Sequence, residues 1–185
     1  EMNQVDQFFA YVKTLSHVSV SDAAQDSITY LAAENSYMNG DCQTSLRDFK
    51  AYLQNYPIGT FSINAHYYLA DCEYKNANLN SALEHYSYVA DKPSSKFSES
   101  AVQKAAYLNY KLGDCPKALN YYKRLEVIAS VSQNQETAVI GQMRCHYLIN
   151  ELDAASIAAN KLLRSERLSE NVNSEAHMVI AKSEM

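Results

Sequence analysis

The sequence contains no tryptophan, and among its 185 residues there are only four glycines and three prolines. So few chain-breaking residues leave little material for the many tight turns of an all-β domain, and they favour helices. No apolar run approaches the ~18 residues that a membrane-crossing helix requires, and no signal-peptide pattern opens the sequence. Positive charge is also short. The formal net charge is −5, whereas a protein that grips a phosphate backbone presents a basic face. Chemistry-bearing motifs are missing as well: there is no glycine-rich phosphate loop, no nucleophile elbow and no His-Glu-x-x-His. The five histidines (His17, His66, His85, His146 and His177) are scattered, and the adjacent Cys145 and His146 cannot share one helix face. These absences point away from nucleic acid, membrane insertion, metal and catalysis, and imply no cofactor.

What is present is a repeat. Residues 101–125, AVQKAAYLNYKLGDCPKALNYYKRL, read as two amphipathic helices joined by a tight turn. Val102, Ala105, Ala106 and Asn109 share one face of the first; Ala118, Leu119, Tyr122 and Leu125 share one face of the second. Gly113 ends the first helix, Asp114 caps the second, and Pro116 lies in its first turn, where a missing N–H costs little. Thirty-six residues earlier, Tyr74, Ala77, Ala82, Leu83 and Tyr86 take the places of Tyr110, Gly113, Ala118, Leu119 and Tyr122. Tyr37, Gly40, Ser45, Leu46 and Phe49 repeat them once more, and Tyr147, Asn150, Ala155, Ser156 and Ala159 follow in a weaker copy. Self-similarity at this period marks a helical solenoid, in which each hairpin buries its apolar faces against its neighbours.

Small residues on the first helix (Ala33, Ala70, Ala106), Gly-Asp at the turn and Ala-Leu-x-x-Tyr on the second helix resemble a tetratricopeptide repeat. The likeness covers about residues 26–165, with a 37-residue rather than 34-residue step and with Asn150 and Ala159 as departures. It implies an all-α fold, a right-handed α-α superhelix of about ten antiparallel helices in a single array. Full repeats are expected at 26–57, 63–93, 99–130 and 136–165, after a Ser-rich linker at 17–24 and with a polar loop at 129–136. Residues 2–16 resemble a second helix without its first, and 174–185 a first helix without its second, so the chain is expected to be a segment of a longer protein.

In such arrays the first helices line the concave side. The resemblance therefore places Tyr30, Glu34, Tyr37, Asn64, Tyr67, Asp71, Tyr74, Gln103, Tyr107, Tyr110, Ile140, Arg144 and Tyr147 along a partner-binding wall. Tyrosine suits this task, since it combines a large contact area with few rotatable bonds and a hydrogen-bonding tip. Tyr30, Tyr67 and Tyr107 are the expected contacts, whereas Tyr37, Tyr74, Tyr110 and Tyr147 occupy a slot that also packs the hairpin. Repeats that clamp a C-terminal carboxylate place Lys, Asn and Arg along this wall; here the corresponding places hold tyrosine and acids, so binding of that kind is not expected. In a stacked array the start of one second helix lies beside the next first helix. The resemblance thus pairs Cys42 with Cys72 and Cys115 with Cys145, with buried unbonded thiols as the alternative.

Residues 53–61, LQNYPIGTF, followed by NAHYYLADC at 64–72, are similar to repeats of Gram-negative envelope proteins, the outer-membrane-assembly lipoproteins and Tol–Pal accessory proteins. That likeness implies a periplasmic or outer-membrane-associated, non-catalytic scaffold whose partner is a protein or peptide, including other subunits of an envelope complex. The alternative is a regulatory or sensory helical array within a larger cytoplasmic signalling protein.

Overall fold

The computed structural model describes residues 2–93, 95–165 and 168–185, which contain ten helices and no strand. Contacts divide the chain into two compact units, residues 1–92 and 93–185. The first unit holds α1 (Met2–Lys13), α2 (Asp22–Met38), α3 (Cys42–Asn55), α4 (Ser62–Lys75) and α5 (Leu79–Ala90). The second holds α6 (Ser98–Lys111), α7 (Cys115–Ile128), α8 (Ser132–Leu148), α9 (Leu152–Leu162) and α10 (Glu170–Ser183). Among the described residues no helix is long and apolar enough to cross a membrane.

Four turns build the hairpins, and they share one backbone geometry. Gly40, Ala77, Gly113 and Asn150 all have positive φ, at the spacing of the sequence repeat. Each donates its N–H to the carbonyl three residues back, at Tyr37, Tyr74, Tyr110 and Tyr147. The residues that follow, Asp41, Asn78, Asp114 and Glu151, donate to Ser36, Glu73, Asn109 and His146. This paired closure satisfies the carbonyls that a helix end leaves open, and it requires a left-handed residue at its centre. Asp41 and Asp114 then cap the next helix, accepting from Thr44 N–H at 2.9 Å and Lys117 N–H at 3.1 Å.

Within the first unit, α2 packs on α3, α3 on α4 and α4 on α5, so that α2 and α4 lie side by side; α1 adds to α2. In the second unit the order α6–α7–α8–α9–α10 repeats the scheme, with α8 beside both α6 and α10. Close approach is possible because the contact positions are small: Ala33, Ala70 and Ala106 on first helices and Ala82, Ala118 and Ala155 on second helices are fully buried. Larger side chains fill the space between them, among them Phe49, Tyr52, Tyr86 and Leu125, all at 0% exposure. Burying one such side chain contributes about 1.5–3 kcal/mol. Packing at Gly141 is tight, since a Cβ there would collide with the Tyr122 ring.

Several boundaries differ from expectation. α2 starts at Asp22, because Ser21 caps it by accepting from Ala24 N–H, so part of the expected 17–24 linker is helix. α8 starts at Ser132, which turns most of the expected 129–136 loop into helix. Glu99 on α6 holds that segment, accepting from Ser130 N–H at 3.0 Å and from Asn134 Nδ2 at 2.5 Å. Likewise α10, capped by Ser169, starts at Glu170, four residues ahead of the expected start.

Candidate functional site

The first helices of the first unit, α2 and α4, are tied by rungs 34 residues apart. Tyr37 on α2 donates its hydroxyl to Asp71 on α4 at 2.8 Å, and its ring stacks on Tyr68 at 4.4 Å. Lys75 reaches the same Asp71 carboxylate at 2.7 Å and lies 5.1 Å from the centre of the Tyr37 ring. A second rung joins Asn64 Nδ2 on α4 to the Tyr30 hydroxyl at 3.3 Å, and that hydroxyl donates to Glu34 at 2.6 Å. Burial first, and then the bonds to Glu34 and Asp71, push the Tyr30 and Tyr37 phenols far above their ordinary range. Both therefore stay protonated donors, and the wall is a fixed hydrogen-bonded lattice. Tyr67 is half-buried and stands edge-on to Tyr68 at 5.9 Å and to Tyr86 on α5 at 5.7 Å. Tyr74 is half-buried.

Tyr30 departs from its expected role as a contact residue. It is 1% exposed, because Phe61, at the entry to α4, stacks on its ring at 4.4 Å and 9°. Its ring and hydroxyl serve the interior, and Glu34 and Asn64 present the outer edge of that rung.

In the second unit, Gln103 on α6 donates to Asn134 on α8 at 3.1 Å, the counterpart of the rungs above. Tyr107 is 39% exposed and is the most open of the expected contact tyrosines. Tyr110 packs on the cluster of Ala106, Cys115, Leu119 and Tyr122, and Tyr147 and Ile140 pack on the cluster around Met143 and Leu162. Arg144 forks onto Glu175 of α10, with Nε at 2.8 Å and Nη2 at 2.7 Å from its two oxygens. This bond raises the guanidinium pKa further and fixes Arg144 in plane.

Cys42 and Cys72 are joined by a disulfide that ties the start of α3 to α4, with Cα atoms 5.3 Å apart. The other expected bond is absent: Cys115 and Cys145 are buried free thiols in hydrogen-bond contact. Burial pushes the Cys145 thiol well up, and such a thiol is a poor nucleophile. Sequence reasoning also missed Asp26, read only as a helix start. It is 6% exposed and accepts from the Tyr52 hydroxyl at 2.5 Å and Thr60 N–H at 2.8 Å. Gly59 lies against that pair, where a Cβ would meet Tyr52 Oη at 2.7 Å and Asp26 Oδ1 at 2.9 Å. The Tyr56–Thr60 wording is thus the part of a buried turn anchor that sequence displays. Among the described residues no three His, Cys, Asp or Glu side chains are grouped to hold a metal ion.

No protein-family model matches the chain, and no curated protein does. Solved structures do. A tetratricopeptide repeat protein from Parabacteroides merdae matches with a TM-score of 0.65 at 17% identity, over 86% of this chain and 60% of that one. The MamA protein matches with a TM-score of 0.60 at 16% identity, over 85% of this chain and 80% of that one. At these identities the likeness shows the fold alone, and that fold is the tetratricopeptide-repeat solenoid.

Proposed function

We propose that this chain is a non-catalytic interaction scaffold, and that the first-helix wall of each unit holds an extended or helical segment of another protein. The observation that carries this reading is the state of the wall side chains. Tyr37, Asn64 and Asp71 in one unit, and Gln103 and Arg144 in the other, are held in place by bonds between helices, and Glu34 is held by the Tyr30 hydroxyl on its own helix. Side chains immobilised in advance lose little entropy on binding, which is what a recognition surface requires. Tyr67 and Tyr107 are the anchors. The test replaces Tyr67 and Tyr107, singly, by a photo-crosslinking residue in the intact protein, with Asn120 on the outward side of α7 as control. Adducts to one partner from the two wall positions and none from Asn120, lost on competition with that partner's peptide, are the expected result. Adducts from Asn120 alone refute the wall.

The same reading places the scaffold in the cell envelope. The Cys42–Cys72 disulfide supports it, because such bonds persist in oxidising compartments, and so does the envelope-type wording of residues 53–72. Fractionation of cells expressing the intact gene product checks it; recovery in the cytosol with four reactive thiols contradicts it.

A further inference from the structure

One contact in the first unit has no part in the wall yet lies directly behind it. His66 on α4 and His85 on α5 meet Nδ1 to Nδ1 at 3.0 Å, with ring centres 5.0 Å apart. Tyr88 stacks on the His66 ring at 3.8 Å. A hydrogen bond between two imidazole nitrogens needs one N–H and one lone pair, so it exists only while the pair shares a single proton at that contact. One added proton leaves that bond in place, an imidazolium N–H donating to a neutral ring; protonating both rings sets two N–H groups, and two positive charges, against each other.

One sequence neighbour of these histidines is a wall residue and the other a core residue that touches it. Tyr67 follows His66 and Tyr86 follows His85, and their rings meet edge-on at 5.7 Å. Tyr86 also donates to Asp71, at 3.4 Å, the carboxylate that receives Tyr37. The α4–α5 interface is therefore pinned at two adjoining points, the imidazole pair and the Tyr67–Tyr86–Asp71 set. We propose that the His66–His85 contact is an acid-sensitive latch that fixes the seat of Tyr67, and with it the grip of the first unit's wall. This regulation rests on the wall being the binding surface.

The charged surroundings set the direction. Burial, then His85, then Lys92 hold the His66 imidazole down at about 4, below its ordinary 6.5. Burial holds His85 down as well, and Lys50 on α3 adds to it, while Glu84 on α5 and Glu73 on α4 pull the other way. Lys92 itself sits 4.3 Å from the centre of the Tyr88 ring that covers His66. At neutral pH the latch is closed, and acid opens it.

Because the chain has no tryptophan, Tyr67→Trp installs a single fluorescent reporter at the wall. Its emission is expected to shift as pH falls from about 7 to about 4, and Tyr67→Trp combined with His85→Gln is expected to abolish the shift, since the amide keeps a neutral hydrogen bond to His66. An unchanged emission, or the same shift with His85→Gln, overturns the latch. Proton NMR of the unsubstituted protein decides the matter if the reporter variant misfolds. The two imidazoles are expected to titrate together below their ordinary range, and independent titration near 6.5 overturns the proposal. Neither measurement includes a partner, so a wall that binds nothing fails the crosslinking test and leaves these results intact.

Discussion

The four left-handed turn residues carry the same backbone burden with unequal chemistry. Gly40 and Gly113 adopt positive φ without a Cβ, whereas Ala77 holds φ at 61° with one. For an L-residue this conformation costs roughly 1–2 kcal/mol, part of which a glycine returns as unfolded-chain entropy. Ala77→Gly is therefore expected to raise stability by about 0.5–1 kcal/mol, and Gly113→Ala to lower it by about 1 kcal/mol. Urea denaturation of both variants reads the difference; a destabilised Ala77→Gly contradicts the account. Position 77 could be named from the repeat alone, because it aligns with two glycines. Tyr30 could not be placed in the same way. Its register matched Tyr67, yet Phe61 covers Tyr30 and leaves Tyr67 half-open. Side-chain exposure depends on which residue precedes the next helix, and a period of 36 or 37 residues is silent about that.

Among the elements, hairpins were legible and their edges were not. The Ala-Leu-x-x-Tyr wording in two repeats, its variants in the other two and the turn residues mark the second helices. The starts of α2, α8 and α10 were missed because serine caps, or a glutamate from a neighbouring helix, recruit polar stretches into helix. Only one of the two expected cystines is formed, although both pairs have a separation of 30 residues, follow a capping aspartate and bring their sulfurs together. That asymmetry makes a sharp comparison. Closing a loop of this length stabilises by about 3–4 kcal/mol in the chain-entropy account. Cys42→Ser/Cys72→Ser is expected to lose about that much, with faster amide exchange in α3 and α4. The counterpart Cys115→Ser/Cys145→Ser removes no bridge and introduces hydroxyls into a buried contact, a smaller loss confined to α7 and α8. Equal losses from the two double variants contradict the assignment of a bond to one pair alone.

For the molecule as a whole, stability against acid falls in two stages, and the sign is the same in both. The first belongs to histidine. An unfolded His66 takes a proton near pH 6.5, while the folded one resists until about 4, so between these values the unfolded chain binds more protons and acid favours it. Stability from this source is complete above 6.5 and is lost as pH falls towards 4. Allowing for the solvent that reaches a partly open site, the loss is roughly 1–2 kcal/mol. The second stage belongs to carboxylates. Burial pushes Glu73 up, but Lys50 at 2.7 Å and Asn78 at 2.6 Å outweigh it, and the group lies below its usual range. Glu126 is held down in the same way, by Lys161 and by Gln142 at 2.5 Å. Their stabilisation is present above the ordinary carboxylate value and vanishes as pH drops through the depressed one. Denaturant midpoints measured across this range are therefore expected to decline from about pH 6.5 in the unsubstituted protein. In His66→Gln/His85→Gln they are expected to stay level until the carboxylates protonate, near 4.5 and below. A double variant that still declines from 6.5 assigns the first stage to other groups, and a protein that gains stability as pH falls contradicts both stages at once.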